Sequence, residues 1–333
     1  MSTSPKDHQS RPKKRTKLNI RSIKHLGFLL GSSPTELLKI SKNAHRFFKT
    51  REIQTKDKAR KLAVPNSRLK AILRRLNRHL QNLTLPPYIC GGIRGRSNIE
   101  NALHHSSKPL IFKADLKDFF PSIDSERVRT IFLVRLGCSK EVADVLTELT
   151  TYEGKLPQGS PTSTMLANFA IEHLAFRLSV LAKQHGAEYT QFVDDITISG
   201  PKHLIELKSL IVKIIAEAGF ISNPKKLVIQ TEKEEHVVTG VRINFGKDIP
   251  KNKLMEITQK IKEMKQVVLK GDPISTKEIR SLEGKIRYYS RLNPGSAAFL
   301  ARQFKTVLKI RHENLLTEVH KEPSDDICPP DLT

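Results

Sequence analysis

Residues 189–199 read YTQFVDDITIS and place two adjacent aspartates, Asp194 and Asp195, between two β-type stretches. This pattern predicts a hairpin with both carboxylates at its tip. Earlier in the chain, residues 110–116 alternate like a buried strand whose end carries Asp115. Because helical patterns lie between and after these strands, the order of elements predicts an α+β fold, an antiparallel sheet backed by helices.

The periodicity of the remaining sequence predicts further elements on both sides of these strands. We expect helices over residues 22–31, 33–48, 66–83, 97–105, 125–136, 140–152, 163–182 and 201–218, two strands within 51–64, and strands over 227–230 and 236–241. From residue 247 the composition changes, because residues 247–311 hold 16 basic and 6 acidic residues in a helical pattern. This change predicts a second unit that is helical and strongly basic.

The three aspartates point to metal-dependent chemistry. Neighbouring carboxylates at a turn repel each other, and a divalent cation removes that repulsion. Oxygen ligands suit Mg²⁺, which keeps positions open for substrate phosphates. Three aspartates from two strands can hold two ions, one activating an attacking hydroxyl and the other supporting a leaving pyrophosphate. The expected reaction is nucleotidyl transfer, although the Asp194-Asp195 pair taken alone also fits an ordinary turn.

The charge of the chain indicates a polyanionic partner. Its 333 residues include 58 Lys and Arg against 34 Asp and Glu, a formal net charge of +24. Nucleic acid is the expected partner, with a merely basic protein as the alternative. No membrane partner is expected, because no long apolar run is present and the basic residues are spread along the chain. Three dispersed cysteines and the lack of a secretory signal predict the cytoplasm.

A Pro/Gly loop at residues 157–163, PQGSPTS, leads into the long apolar helix. Gly159 allows close backbone approach, and the hydroxyls and helix start offer donors to an anion or a base edge. An ordinary capped loop fits the same residues.

At these motifs the chain resembles the reverse transcriptases. Asp115 with Phe119-Phe120 is similar to their first catalytic motif, residues 157–163 to the motif that supports template and nucleotide, and residues 192–195 to their YxDD box, with Phe192 where tyrosine is usual. Asn223 and Lys226 are similar to a motif that lies near the triphosphate of the nucleotide. Arg60-Lys61-Leu62 is similar to a fingers segment that binds this triphosphate.

Within that family the chain resembles the bacterial retron type. Asn101, Ala102 and His105 match its NAxxH element, residues 238–240 match its VTG element, and residues 282–289 are similar to its thumb. The resemblance implies a right-hand polymerase with fingers, palm and helical thumb. The expected segments are a basic flexible tail at 1–19, fingers and N-terminal helices at 20–109, palm at 110–245, thumb at 246–320 and a C-terminal tail at 321–333.

The resemblance also assigns roles to residues. Asp115, Asp194 and Asp195 would be catalytic and, with Leu116, would hold two Mg²⁺ ions. Nucleotide-binding residues would be Arg60, Asp118, Phe119, Phe120, Gln158, Gly159 and Lys226, with Phe120 as the steric gate against ribose. Primer and template would contact Phe192, Val193, Ser160 and Pro161. RNA would contact Asn101, His105, Lys262, Lys285, Arg287, Tyr288, Tyr289 and Arg291.

The implied function is copying part of a structured non-coding RNA into single-stranded DNA. The RNA would serve as template and as primer through a 2′-OH, giving a branched RNA–DNA product from dNTPs, with a possible effector protein and a role in antiphage defence. Alternatives are a group II intron-like or abortive-infection reverse transcriptase and a silent RNA-binding protein of the same fold. The three intact aspartates favour an enzyme, and the VTG and NAxxH elements favour the retron type.

Overall fold

The computed structural model describes residues 15–54 and 59–319, which divide into two compact units after Glu234. Some predictions fall outside the described residues: the basic tail over residues 1–14, the turn at 55–58 and the C-terminal tail over 321–333.

Four helices and one hairpin precede the central sheet of the first unit. They are α1 (Ile23–Leu30), α2 (Pro34–Lys42), β1 (Phe48–Gln54), β2 (Ala59–Pro65), α3 (Ser67–Leu80) and α4 (Asn98–Leu103). Each helix begins after a residue whose side chain accepts a hydrogen bond from the first turn, namely Ser22, Ser33, Asn66 and Ser97. The helix predicted over 33–48 is too long, because Ala44–Phe47 form a 3₁₀ turn and β1 begins at Phe48.

The central sheet has four antiparallel strands. These are β3 (Leu110–Asp115), β4 (Glu188–Phe192), β5 (Asp195–Gly200) and β6 (Val228–Thr231), in the order β4-β5-β3-β6. Alternation along the strands sends Phe112, Ala114, Ile196 and Ile198 into the hydrophobic core. The opposite face of the sheet therefore carries the polar side chains. The predicted α+β fold, an antiparallel sheet backed by helices, is confirmed.

The helices that back this sheet are α5 (Ser125–Thr130), α6 (Lys140–Thr150), α7 (Ser163–Gln184) and α8 (Lys208–Glu217). Two predicted helices are not regular throughout. The one over 125–136 passes from α5 into a π-helical turn at Ile131–Arg135, and the one over 201–218 begins as a 3₁₀ turn at Lys202–Leu207. These segments of 5 and 6 residues are too short to show a periodicity of their own, so sequence alone does not separate them from the adjoining α-helices.

Helix α7 is long and apolar enough to cross a membrane by length and composition alone. Most of its apolar stretch is buried inside the first unit, and Leu166, Ile171 and Leu178 are 0 % exposed. This burial is typical of a core helix, so the length of α7 is weak evidence for a membrane span.

The second unit begins with a small hairpin, β7 (Val237–Val238) and β8 (Val241–Arg242), followed by α9 (Lys251–Leu269), α10 (Thr276–Ser290) and α11 (Pro294–Val319). The single strand predicted over 236–241 is wrong, because Thr239 (φ 45°) and Gly240 (φ 79°) turn the chain back. Helices α9 and α10 both pack against α11. The helical unit is thus present as predicted, whereas the boundary between residues 245 and 246 stays a prediction.

Candidate active site

Strands β3 and β5 bring the aspartates together. Asp115 ends β3 and lies directly opposite Asp195, the first residue of β5. Asp194 occupies the turn between β4 and β5, where its main-chain carbonyl accepts a hydrogen bond from the Leu116 N–H at 3.1 Å. The predicted hairpin with both carboxylates at its tip is present, and its register places the third aspartate beside them.

The site concentrates negative charge. Burial raises the pKa of Asp194, and the charge of Asp115 raises it further. The pKa of Asp195 is raised to about 6 by burial and by the charges of Asp194 and Asp115. Asp195 keeps an accessible face at the turn, yet the protein around it removes part of its hydration. Ionised carboxylates are therefore unfavourable here without additional positive charge.

Lys226 supplies part of that charge. Its Nζ lies 2.7 Å from Asp115 Oδ1, and this hydrogen bond raises the pKa of Lys226. Asn223 also binds Asp115: its main-chain N–H donates to the Asp115 carbonyl at 2.8 Å, and its side-chain Nδ2 lies 3.5 Å from Oδ2. The short 3₁₀ turn Pro224–Lys226 sets both contacts just before β6.

The turn between β4 and β5 has a strained main chain, and neighbouring residues hold it in place. Val193 has φ 62°, an unfavourable value for a β-branched residue. The Gln191 side chain donates to the Val193 carbonyl at 2.9 Å. Gly91 lies so close that an added Cβ would be 2.4 Å from the Val193 nitrogen, and Asn168 fixes the Gly91 carbonyl at 2.8 Å. Sequence reasoning missed Gly91, whose signal in the sequence is the Gly91-Gly92 pair.

A buried polar layer lies under the same hairpin. His105 is 0 % exposed, and its two ring nitrogens lie 2.7 Å from Ser199 Oγ on β5 and 2.7 Å from Thr190 Oγ1 on β4. Burial lowers the pKa of His105 to about 3, so the ring is neutral and bridges the two strands. Asn101 is 1 % exposed. Burial therefore contradicts direct RNA contact by Asn101 and His105, and both residues instead support the fold.

The hairpin formed by β1 and β2 contacts the loop that precedes α7. The Ala63 N–H on β2 donates to the Gln158 carbonyl at 3.0 Å. Gly159 has φ 114°, a conformation open mainly to glycine. Arg60 is exposed on β2, and its charge lowers the pKa of Asp194. Arg60 and the loop therefore lie on the part of the first unit that carries the aspartates.

The residues after Asp115 separate into different environments. Asp118 is exposed, and Phe120 is partly buried. Phe119 is 3 % exposed, with its ring centroid 5.6 Å from that of Phe120 and 5.7 Å from that of Phe220. The ring of Phe119 thus belongs to the core, which contradicts its prediction as a nucleotide contact.

The residues predicted to contact primer and template lie in the turn of the β4–β5 hairpin and in the loop before α7. Phe192 and Val193 are partly exposed at the hairpin, and Pro161 is partly exposed in the loop. Ser160 is 8 % exposed, and its Oγ lies 3.3 Å from Thr162 Oγ1. Ser160 is therefore largely buried, and its hydroxyl is hydrogen-bonded within the loop.

The predicted RNA contacts of the second unit are mostly on its surface. Exposed side chains belong to Lys262, Lys285, Arg287 and Arg291, and Tyr288 is half-buried. Tyr289 is 8 % exposed and its pKa is raised by burial. Burial of its ring contradicts stacking of Tyr289 on RNA. Lys285 Nζ lies 3.8 Å from Glu256 Oε1.

The three aspartates have side chains suited to a divalent cation, but these side chains do not converge on one point. Among the residues that the structure describes, no group of three or more His, Cys, Asp or Glu side chains forms a metal-binding cluster. Asp115 directs one oxygen to Lys226 instead. The three carboxylates are nevertheless an all-oxygen set at neighbouring strand ends and their turn, with the pKa values of Asp194 and Asp195 raised by burial and by nearby carboxylates, which fits a hard divalent cation.

Comparison with known proteins gives one family. Residues 41–243 match the family model described as reverse transcriptase (RNA-dependent DNA polymerase), a family that depends on divalent metal in general. The chain is 32% identical to the Retron Mx65 reverse transcriptase of Myxococcus xanthus, over 74% of this chain and 61% of that protein. It is 31% identical to the Retron Ec86 reverse transcriptase of Escherichia coli, over 65% and 69% respectively.

A third relative is the Retron Se72 reverse transcriptase of Salmonella heidelberg (strain 579083-10), 30% identical over 70% of this chain and 64% of that protein. The chain thus spans 61% to 69% of the length of these three relatives. A solved telomerase from Candida albicans, with a TWJ fragment of telomeric RNA, is similar at a TM-score of 0.43 and 11% identity, over 84% of this chain and 66% of that one. That likeness is too weak to add to the assignment. The match over residues 41–243 and the relatives at 30% to 32% identity establish that the chain belongs to the reverse transcriptases, and among them to the retron type.

Proposed function

We propose that this chain copies part of a structured non-coding RNA into single-stranded DNA, using Asp115, Asp194 and Asp195 as its catalytic residues. The observation that carries the proposal is the register that sets Asp115 opposite Asp195, with Asp194 in the adjoining turn. Adjacent carboxylates with raised pKa values are a feature of catalytic sites more than of surface turns. Membership of the reverse transcriptases supports the same assignment.

The three aspartates would hold two Mg²⁺ ions, together with the main chain of Leu116. Its side chain is 1 % exposed, so only main-chain atoms of Leu116 can take part. When bound, the ions would lower the pKa of the attacking hydroxyl and stabilise the charge that develops on the pyrophosphate. Asn223 and Lys226 orient Asp115 for this task through hydrogen bonds to its carboxylate.

Lys226 and Arg60 would act on the triphosphate. The hydrogen bond that Lys226 donates to Asp115 raises the pKa of Lys226 and keeps it protonated, and about half of the Lys226 side chain is exposed, at 52%. A protonated lysine at this place can donate to the departing pyrophosphate. Phe120, with Asp118 before it, would border the sugar and exclude a 2′-OH, while Gln158 and Gly159 would contact the nucleotide through the loop.

The RNA would act as both template and primer. Likeness to retron reverse transcriptases supports a branched product that starts from an RNA 2′-OH, work in the bacterial cytoplasm, a possible effector partner and a role in antiphage defence. The exposed Lys262, Lys285, Arg287 and Arg291 of the second unit would bind phosphates of the partner RNA.

The test is incorporation of dNTPs on a primed RNA template by the full chain. Asp194→Asn combined with Asp195→Asn should abolish synthesis, whereas RNA affinity at moderate salt should stay near that of the wild type, because affinity comes from the basic surface. Synthesis by the double variant at the wild-type rate would refute the assignment. Incubation with the transcript that adjoins the gene then tests the branched product, through DNA that stays linked to RNA on a denaturing gel.

A further inference from the structure

One aromatic ring in the second unit is fully open to solvent. Phe245 is 100 % exposed, and the next most exposed large hydrophobic residue among those the structure describes is Phe28, at 86%. Phe245 lies in the loop between β8 and α9, two residues before Lys247. The ring adds no packing to the hydrophobic core of the protein and is fully available to a partner.

The loop that carries the ring is firmly held at its base. Arg242 and Asp248 exchange two main-chain hydrogen bonds, at 2.9 Å and 2.8 Å, and their side chains form an ion pair. Asn293 donates to Asp248 Oδ1 at 3.0 Å, and Asn244 Oδ1 accepts from the His236 N–H at 2.9 Å. The main chain that carries the ring is therefore constrained before any partner binds, which reduces the backbone entropy lost on binding.

The surroundings of the ring are basic. Lys247 and Lys251 are exposed on either side of the loop's end. The nearby acids are neutralised, because Arg242 pairs with Asp248 and lies 3.9 Å from Glu235. Residues 235–319 contain 17 Lys and Arg against 9 Asp and Glu. The partner that fits this surface is a polyanion.

The ring is also isolated from other apolar surface. Its neighbours in the loop are Asn244, Gly246 and Lys247, whereas a protein-binding site usually buries a contiguous apolar patch. A flat ring followed in the chain by exposed Lys247 and Lys251 matches single-stranded nucleic acid, in which bases stack on aromatic side chains while lysines hold the phosphates. Paired bases within an RNA helix are not open to such stacking.

We propose that Phe245 stacks on an unpaired base of the bound RNA, with Lys247 and Lys251 on the adjoining phosphates. The inference rests on the proposed function, which names RNA as the partner, and it adds that this surface selects RNA with unpaired bases. It also places a recognition element outside α9, α10 and α11.

The experiment measures binding of the full chain to two probes over a range of salt concentrations. One probe is an RNA hairpin with a loop of unpaired adenines, and the other is a blunt RNA duplex of equal length. Phe245→Ala, Phe245→Leu and Phe245→Tyr are compared with Phe28→Ala, a control in the first unit whose residue is 86% exposed. Unchanged melting temperatures are expected for all four variants, because both rings are exposed.

Phe245→Ala should weaken binding to the hairpin by about fivefold to a hundredfold, the range for one stacked base, and leave the duplex nearly unaffected. Phe245→Tyr should bind like the wild type. The slope of affinity against salt should not change for Phe245→Ala, whereas Lys247→Ala should reduce it by about one. Equal hairpin binding by Phe245→Ala and the wild type would overturn the proposal, as would full binding by Phe245→Leu or an equal loss in Phe28→Ala.

Synthesis on a DNA-primed RNA template is measured in parallel. Loss of hairpin affinity in Phe245→Ala with synthesis intact supports the proposal and the polymerase together. If the wild type makes no DNA, the proposed function fails, while the binding comparison still decides the role of Phe245.

Discussion

Replacing Asp195 with asparagine should stabilise the metal-free protein. Burial and the charges of Asp194 and Asp115 raise the pKa of Asp195 from 3.8 to about 6. A difference of about two pKa units corresponds to roughly 3 kcal/mol, at about 1.36 kcal/mol per unit. Because Asp195 keeps an open face to water, screening reduces the effect to about 1–2 kcal/mol. Above pH 7, the free energy of unfolding of the asparagine variant should exceed that of the wild type by this amount.

The sign follows from proton binding. The pKa of Asp195 is higher in the folded than in the unfolded protein, so the fold gains stability as pH falls through about 6 and loses it as pH rises. Asparagine does not titrate, and the advantage of the variant should therefore shrink to near zero at about pH 4. Urea unfolding in EDTA at a series of pH values measures this difference. A variant less stable than the wild type above pH 7, or a difference independent of pH, would refute the reasoning.

Three further substitutions have distinct expected outcomes. Phe120→Ala should raise the ratio of kcat/KM for rNTPs to that for dNTPs by about tenfold, and an unchanged ratio would mean that the ring is not the gate. His105→Phe should lower the free energy of unfolding in urea by about 2–4 kcal/mol above pH 7, because two buried hydroxyls lose their partner; at pH 5 the loss should be smaller, because the folded pKa of about 3 lies below the ordinary histidine pKa of about 6.5 and the unfolded wild type takes up a proton there; wild-type stability above pH 7 would contradict this. Gly91→Ala should lower kcat by about tenfold to a hundredfold with RNA affinity intact, since the new methyl meets the Val193 nitrogen at 2.4 Å, and a normal rate would show that the hairpin does not depend on this approach.

The clustering of the three aspartates could be predicted from the sequence because two local signals agree. Strand alternation ends on Asp115, and a turn pattern carries Asp194 and Asp195. An antiparallel sheet then brings strand ends and turns to one edge. The pairing of Asp115 with Asp195 follows from this topology.

Burial of neighbouring residues could not be predicted in the same way. Phe119 and Tyr289 each stand beside a second aromatic residue, and adjacent residues in a turn or helix point in different directions, so one ring of each pair is buried. Motif matching placed His105 on RNA, yet its environment depends on Thr190 and Ser199, which lie 85 and 94 residues away.

Close backbone contacts are the least visible feature in a sequence. Gly91 is required by its distance from Val193, a residue in another element. In the sequence, a glycine pair between helices has the same pattern whether it ends one element or packs against the turn between β4 and β5. Only the fold distinguishes these two cases.

The most direct test of the central claim is single-turnover incorporation of one dNTP on a primed RNA template by Asp115→Asn. If the three aspartates form the catalytic site, the rate should fall by at least about a hundredfold, with RNA affinity unchanged. Asp144→Asn is the matched control, because Asp144 is a carboxylate paired with Arg129 at 2.6 Å outside the site. It should synthesise DNA like the wild type. A normal rate in Asp115→Asn, or equal losses in both variants, would contradict the account.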